Sequence, residues 1–230
     1  MNKPSITLKT LYLISACIFM LISCNDAKPT LDIPEGKVGL IGYGSLTSAE
    51  QMESQLGKSY EGSVEVVHLE GYQRTWDATT PNKLEFPPVG VVMDCIYQED
   101  TILPRMFSVL NIHKNEAVAI NCCLFIIDEG DLDPIDATEI GYKRIDVTNN
   151  IAEYDINKGT VWAYQAEKKY TKTPDPDSVQ TYVLPKMYLG FLEAGFKELG
   201  TEYEKEFYET TLPIPQENVL DCSMVSNQGG

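Results

Sequence analysis

The chain is short of histidine, tryptophan and basic residues, with two His, two Trp and 18 Lys plus Arg in 230 residues. His68 and His113 are far apart and no Cys-x-x-Cys pair is present, so the ligand spacing of a zinc site is missing and no metal is expected. The bases face 34 Asp plus Glu, for a formal charge of −16. Such a surface repels phosphates and anionic headgroups, which excludes nucleic acid and electrostatic membrane docking from the expected partners. No apolar run reaches the roughly 20 residues that a transmembrane helix needs. Internal repeats and low-complexity stretches are absent as well.

What the N-terminus does have is an export signal. Lys3 and Lys9 precede an apolar run from Leu11 to Ile22, the charged-then-apolar order of a secretory signal. Leu21-Ile22-Ser23-Cys24 resembles the bacterial lipobox, in which the cysteine is acylated and the signal is cut just before it. Residues 1–23 are therefore read as a removed lipoprotein signal peptide, and Cys24 as the lipidation site. Residues 24–35 read as a polar, proline-containing tether, and 36–230 as a single domain, long enough for a proper core. Loss of the two signal lysines leaves 16 bases against 34 acids, or −18. The expected location is the bacterial cell envelope, with the membrane touched through the lipid alone. Of the six cysteines, Cys95, Cys122, Cys123 and Cys222 then remain, and their pairing is left open. Cys122 and Cys123 sit in an apolar run where strand neighbours face opposite ways, so at least one is expected in the core.

Short β-like runs cover Val38 to Ile41, Ser63 to Leu69, Val89 to Met93, Ala117 to Ile127, Tyr142 to Val147 and Thr160 to Tyr164. The segment Lys168 to Pro185, rich in proline, threonine and aspartate, reads as a long loop whose composition raises the idea of a mobile lid. Lys186 to Glu198 has helical spacing and stops before Gly200. Strands dominate and do not alternate with helices, which predicts an α+β fold.

Two segments look like sites. In Val38 to Leu56 a buried strand runs into Gly42-Tyr43-Gly44-Ser45 and then into a helix, which the Thr47/Glu50 spacing predicts to start at Thr47. A helix N-terminus behind a glycine loop suits a carboxylate or a phosphate. Gly42-Tyr43-Gly44 is also the first half of a dinucleotide fingerprint, but Thr47 stands where its third glycine belongs; a tight turn with a purely structural role is the other reading. Ser45 lacks the GxSxG frame of a nucleophile. In Leu132 to Val147 an acidic turn precedes a strand, with Glu139 next to Asp133 and Asp136 among Leu132, Ile135 and Ile140. A carboxyl both desolvated and near other carboxylates has a raised pKa, which suits a general acid/base; a solvated acidic turn is the alternative from these residues alone.

Together these segments resemble the γ-glutamylcyclotransferase fold family, including its AIG2-like members. Tyr43-Gly44-Ser45-Leu46 matches the family's YGS(N)L turn without the asparagine. Leu132 to Glu139 (LDPIDATE) followed by Tyr142-Lys143-Arg144 is similar to its LxxLDxxE and Y-x-R elements, with Ile135 in the second leucine position. Leu69 to Arg74 (LEGYQR) looks like its L-x-G-Y-x-R strand, and Pro185, Tyr188, Gly195 and Gly200 resemble its C-terminal helix. The resemblance runs in order from about Val38 to Tyr208.

The resemblance implies a compact mixed β-barrel with a few flanking helices. It implies cyclisation of a γ-glutamyl amine or dipeptide to 5-oxoproline with release of the amine, Glu139 being the general acid/base. Tyr43, Gly44, Ser45 and Leu46 would hold the substrate, Tyr188 would help close the pocket, and no cofactor would be required. The missing asparagine, the export signal and the unmatched Trp76 to Asn111 stretch leave the individual substrate unassigned. A non-catalytic envelope protein of the same fold, binding a small carboxylate ligand or a protein partner, is the alternative.

Overall fold

In a computed structural model, which describes residues 28–83, 92–179 and 181–225, eleven strands and four α-helices are laid out around one long ladder. Along the described chain they are β1 (Thr30–Asp32), β2 (Lys37–Gly42), α1 (Ala49–Leu56), β3 (Glu65–Pro81), β4 (Met93–Tyr97), β5 (Asp100–Ile102), β6 (Met106–Asp128) and α2 (Leu132–Thr138). Then follow β7 (Tyr142–Asp146), β8 (Asp155–Lys158), β9 (Val161–Ala166), β10 (Tyr182–Pro185), α3 (Lys186–Leu199), α4 (Thr201–Thr210) and β11 (Val219–Met224).

The apolar run around Cys122 and Cys123 becomes the far end of β6, which has 23 residues. β3 pairs with β6 antiparallel from Glu65 opposite Leu124 to Pro81 opposite Met106. The ladder slips after Glu70, where Gly71 takes φ +80°, and again between Thr75 and Ala78. A strand this long serves several neighbours, and its two ends pair differently. Its C-terminal end pairs antiparallel with β2, and its first residues pair parallel with β10. The order of the large sheet is β5-β4-β11-β10-β6-β2-β9-β7, with β3 added on β6. The mixed α+β class is as expected, but the pairings among the described residues leave an open sheet and do not close a barrel.

The strand β2 is buried at every position after Lys37, as its unbroken apolar run requires of a strand covered on both faces. It packs into the main core with Met52, Phe125, Ile135, Leu192 and Phe207. A smaller core under β4, β10 and β11 gathers Met93, Phe107, Val183 and Leu220, and a Cys95–Cys222 disulfide joins β4 to β11. Cys122 and Cys123 are both buried and free, and burial raises both thiols, Cys123 to about 12.

Several expectations change here. The signal peptide and Cys24 lie outside the described residues, as does most of Val89 to Met93, of which Met93 opens β4. Residues 30–32, read as tether, instead pair parallel with β8, and Ile33 is buried, so apolar Leu31 and Ile33 bring the fold's edge forward. The Lys168 to Pro185 segment is only in part a loop. It carries β10, and Val179, Val183 and Leu184 bury against the body. The helix α1 starts at Ala49, with Ser48 rather than Thr47 as its N-cap.

Candidate functional site

The Gly42 to Leu46 turn is set by close backbone approach. A Cβ on Gly42 would lie 1.7 Å from the Leu46 carbonyl oxygen, so only glycine lets the chain reverse there. The turn ends in a cap of its own. The Gln51 N–H donates to Ser48 Oγ at 3.2 Å, and the Thr47 N–H donates to Gln51 Oε1 at 2.7 Å. The start of α1 is thus partly satisfied by its own side chains and is less free to hold an anion than the spacing suggested. By contrast, the amide N–H groups of Tyr43, Gly44, Ser45 and Leu46 donate to no acceptor among the described residues. Backbone donors in a largely buried turn normally find a partner, so these four are available to a ligand.

The helix α3 lies directly over this turn. A Cβ on its Gly195 would sit 2.0 Å from Thr47 Oγ1, so glycine there permits the contact. The close packing brings Tyr188, one turn into α3, over Gly44. Burial raises the Tyr188 phenol, and the Leu110 backbone and the Ser45 hydroxyl beside it partly offset this.

The other wall comes from the end of α2. Leu132 and Ile135 anchor that helix in the core, and it stops at Glu139, its C-cap. Gly141, at φ +91° and packed on the Tyr170 ring, then turns the chain into β7. Where a solvated acidic turn was one reading, there is a helix end that carries Glu139 inward. Asp136 accepts from the Tyr164 hydroxyl at 2.7 Å and pairs with Arg144 at 2.9 Å, whereas exposed Asp133 stays outside. Glu139 has no side-chain hydrogen bond or ion pair among the described residues. Burial of its carboxyl, with the nearby Asp136 charge second, pushes its pKa up to about 7.

These elements enclose a cavity of about 60 Å³, lined by Tyr43, Gly44, Ser45, Leu46, Glu139 and Tyr188 together with Ile41, Gly42, Leu110, Tyr142 and Tyr164. All six cavity positions singled out in the sequence meet there. Sequence reasoning missed Tyr142 and Tyr164, which β7 and β9 present side by side, and Leu110 from β6. The only available signal was Tyr142 in the Tyr-Lys-Arg element. The hydroxyl of Tyr43 donates to the Tyr164 carbonyl and that of Tyr142 to the Leu110 carbonyl, each at 2.6 Å, which fixes both rings. Burial raises both phenols, so they remain neutral.

Behind the turn, Arg74 of the Leu69 to Arg74 element is fully buried. It donates to the Asn121 carbonyl, the Phe207 carbonyl and Thr211 Oγ1 and stacks 4.0 Å from the Phe207 ring, tying β3 to α4. On the far side of the ladder, His68 lies between Glu153 at 2.5 Å and Glu206 at 2.7 Å. Burial opposes the charge on this imidazole, but the hydrogen bonds to both glutamates outweigh it and raise the pKa. Among the described residues no group of three His, Cys, Asp or Glu side chains is arranged to hold a metal ion.

Comparison with protein-family models and with curated proteins finds no match. Solved structures similar to the chain include a gamma-glutamyl cyclotransferase at 13% identity, covering 79% of this chain and 95% of that one with a TM-score of 0.47. Another is an uncharacterized protein from Homo sapiens at 16% identity, covering 80% and 96% with a TM-score of 0.46. A third is a protein from Arabidopsis thaliana at 18% identity, covering 76% and 88% with a TM-score of 0.37.

Proposed function

We propose that the chain is a cyclotransferase-like enzyme that converts a γ-glutamyl amine or dipeptide to 5-oxoproline and releases the amine. The observation that carries this reading is Glu139, half-buried with no side-chain hydrogen-bond partner among the described residues, lining one cavity with the Tyr43 to Leu46 turn. The sequence elements that resemble the family supply this pair of walls. The placement of Glu139 among the residues that line this cavity favours an enzyme over a binding protein whose glutamate points to solvent.

In the proposed reaction Glu139 takes a proton from the α-ammonium of the glutamyl group. The freed nitrogen forms a bond to the γ-carbonyl carbon, and the oxyanion that develops is held by amide N–H groups of Tyr43 to Leu46. The bond from that carbon to the leaving nitrogen then breaks as Glu139 returns its proton there, and the second proton of the attacking nitrogen follows through the same carboxylate, leaving a neutral lactam and an ammonium. No water is consumed, and the carboxylate is regenerated. A group with a pKa near 7 serves both transfers, since it is poised between the two protonation states. Tyr43 and Tyr142, already committed to carbonyls, shape the cavity.

The test is release of 5-oxoproline from a panel of γ-glutamyl amines and dipeptides. The reading expects turnover of at least one compound; silence across the panel would sink it. We place the protein in the cell envelope, acylated at Cys24. The lysine-then-apolar order of residues 3–22 and the Cys95–Cys222 disulfide, which suits an oxidising compartment, support that placement. Palmitate labelling in a bacterial host should be lost in Cys24→Ser, and a labelled variant would overturn the assignment.

A further inference from the structure

A wider cleft adjoins the small cavity, and Ser45, Glu139, Tyr142 and Tyr188 line both. Its volume is about 420 Å³ against about 60 Å³ for the cavity. Beyond the shared residues and Thr80 and Thr138 its walls are apolar, with Met93, Phe107, Ile140, Met187, Phe191 and Met224 the largest groups. Among the described residues that line it there is no lysine, arginine or histidine, and Glu139 is the only carboxylate. Met187, Phe191 and Met224 are 42%, 50% and 63% exposed. Large apolar side chains grouped in the open beside a buried acid mark a ligand site.

We infer that this cleft receives the amine side of the substrate and selects amines bearing an uncharged alkyl or aromatic group over amino acids and peptides with a free carboxylate. The inference rests on the cyclotransferase reading and deepens it. The cavity is small and polar, with room for a compact head group, and its amide donors suit the glutamyl carboxylate and the developing oxyanion. The leaving nitrogen must lie within reach of Glu139, which stands where cavity and cleft meet, so whatever that nitrogen carries extends into the cleft. A carboxylate there would find no cation among the described lining residues and would face Glu139, a repulsion strengthened by partial desolvation. An alkyl chain would gain by leaving water against methionine and phenylalanine.

The experiment compares γ-glutamyl methylamide, butylamide, hexylamide and γ-glutamylglycine. The wild type should show kcat/KM rising roughly threefold per methylene along the amides, and hexylamide should exceed the glycine dipeptide by more than about tenfold. In Phe191→Arg the hexylamide-to-glycine ratio should fall at least about tenfold, because the variant adds a cation and removes an apolar wall. Phe191 is half exposed, so the variant is expected to fold, as its thermal unfolding will show. Turnover of the methylamide without any gain for longer amides would overturn the inference and leave the reaction standing. If no compound is turned over, the reaction fails, and calorimetry decides on the cleft. Binding of γ-glutamyl hexylamide that weakens tenfold in Phe191→Arg upholds an apolar site, and no binding overturns it.

Discussion

Glu139 and His68 both titrate above their ordinary range, and they do so by opposite means. His68 is raised because Glu153 and Glu206 grip both ring nitrogens and outweigh the cost of burial. Glu139 is raised because its carboxyl is desolvated with nothing to grip, and the nearby Asp136 charge adds to the shift. A satisfied cluster adds to stability, whereas an unsatisfied acid subtracts from it and is retained where it does something else. Charge shift alone does not tell a site from a strut. The presence or absence of partners does.

The largest expected effect separates the two on activity. Glu139→Gln should lower kcat/KM for 5-oxoproline release by about 10² to 10⁴, the usual range for a lost general acid/base, while His68→Gln keeps wild-type turnover. An active Glu139→Gln would erase the distinction. Wild-type activity should also fall as the pH drops through about 7, where the Glu139 carboxylate is protonated.

Next comes stability, where the signs should oppose. The folded pKa of Glu139, about 7, lies above the ordinary 4.5, so its contribution favours folding below pH 4.5 and is lost as the pH rises through 7. Glu139→Gln should therefore be the more stable protein at pH 8, by up to ~3 kcal/mol in urea unfolding, with the gap closing towards pH 4.5. A variant less stable than wild type at pH 8 would show that the carboxylate has support.

The turn should tolerate less than either carboxylate centre. Gly42→Ala forces a methyl onto the Leu46 carbonyl oxygen and should lose about 2 to 3 kcal/mol, with loss of turnover in whatever remains folded. A stable and active Gly42→Ala would mean that the turn can open without harm to the site.

The smallest effect belongs to His68. Its raised pKa places its stabilising contribution below pH 6.5, and that contribution fades as the pH rises through the folded value. With side-chain exposures of 35%, 33% and 39% in the cluster, screening limits its worth, and His68→Gln should lose only about 1 kcal/mol at pH 6. A loss independent of pH would assign the effect to packing instead.

How much of this could be read from the chain depended on the range of the interactions. β2, the C-terminal half of β6 and the start of α3 were legible because their apolar patterns are local. The N-terminal half of β6 and the part of β3 beyond Arg74 were not. His113, Lys114, Asn115 and Glu116 interrupt the apolar run, and pairing with β3 on either side, at His113 and Lys114 and again from Ala119, carries the strand past them. β10 was hidden in a stretch rich in turn formers, because its burial comes from β6 and β11 on either side. Glu139 was legible through its motif, but its isolation was not. That depends on Arg144 and Tyr164 drawing Asp136 away, an arrangement set across three elements. The start of α1 was misplaced by two residues because Thr47 and Ser48 are both good caps and Gln51, not Glu50, completes the network.

The disulfide between Cys95 and Cys222 spans 127 residues, and Met93 and Met224 face each other two positions further along the same strand pair. The bond thus fastens the end of the described chain to a strand formed far earlier, and both of those methionines belong to the apolar cleft. Closing so long a loop restricts the unfolded chain by an amount on the order of 4 kcal/mol. A reducing medium would withdraw that restraint from the smaller core first, leaving the cavity walls on β2 and α2 to the main core. Thiol chemistry would thereby act on the apolar cleft without touching Glu139.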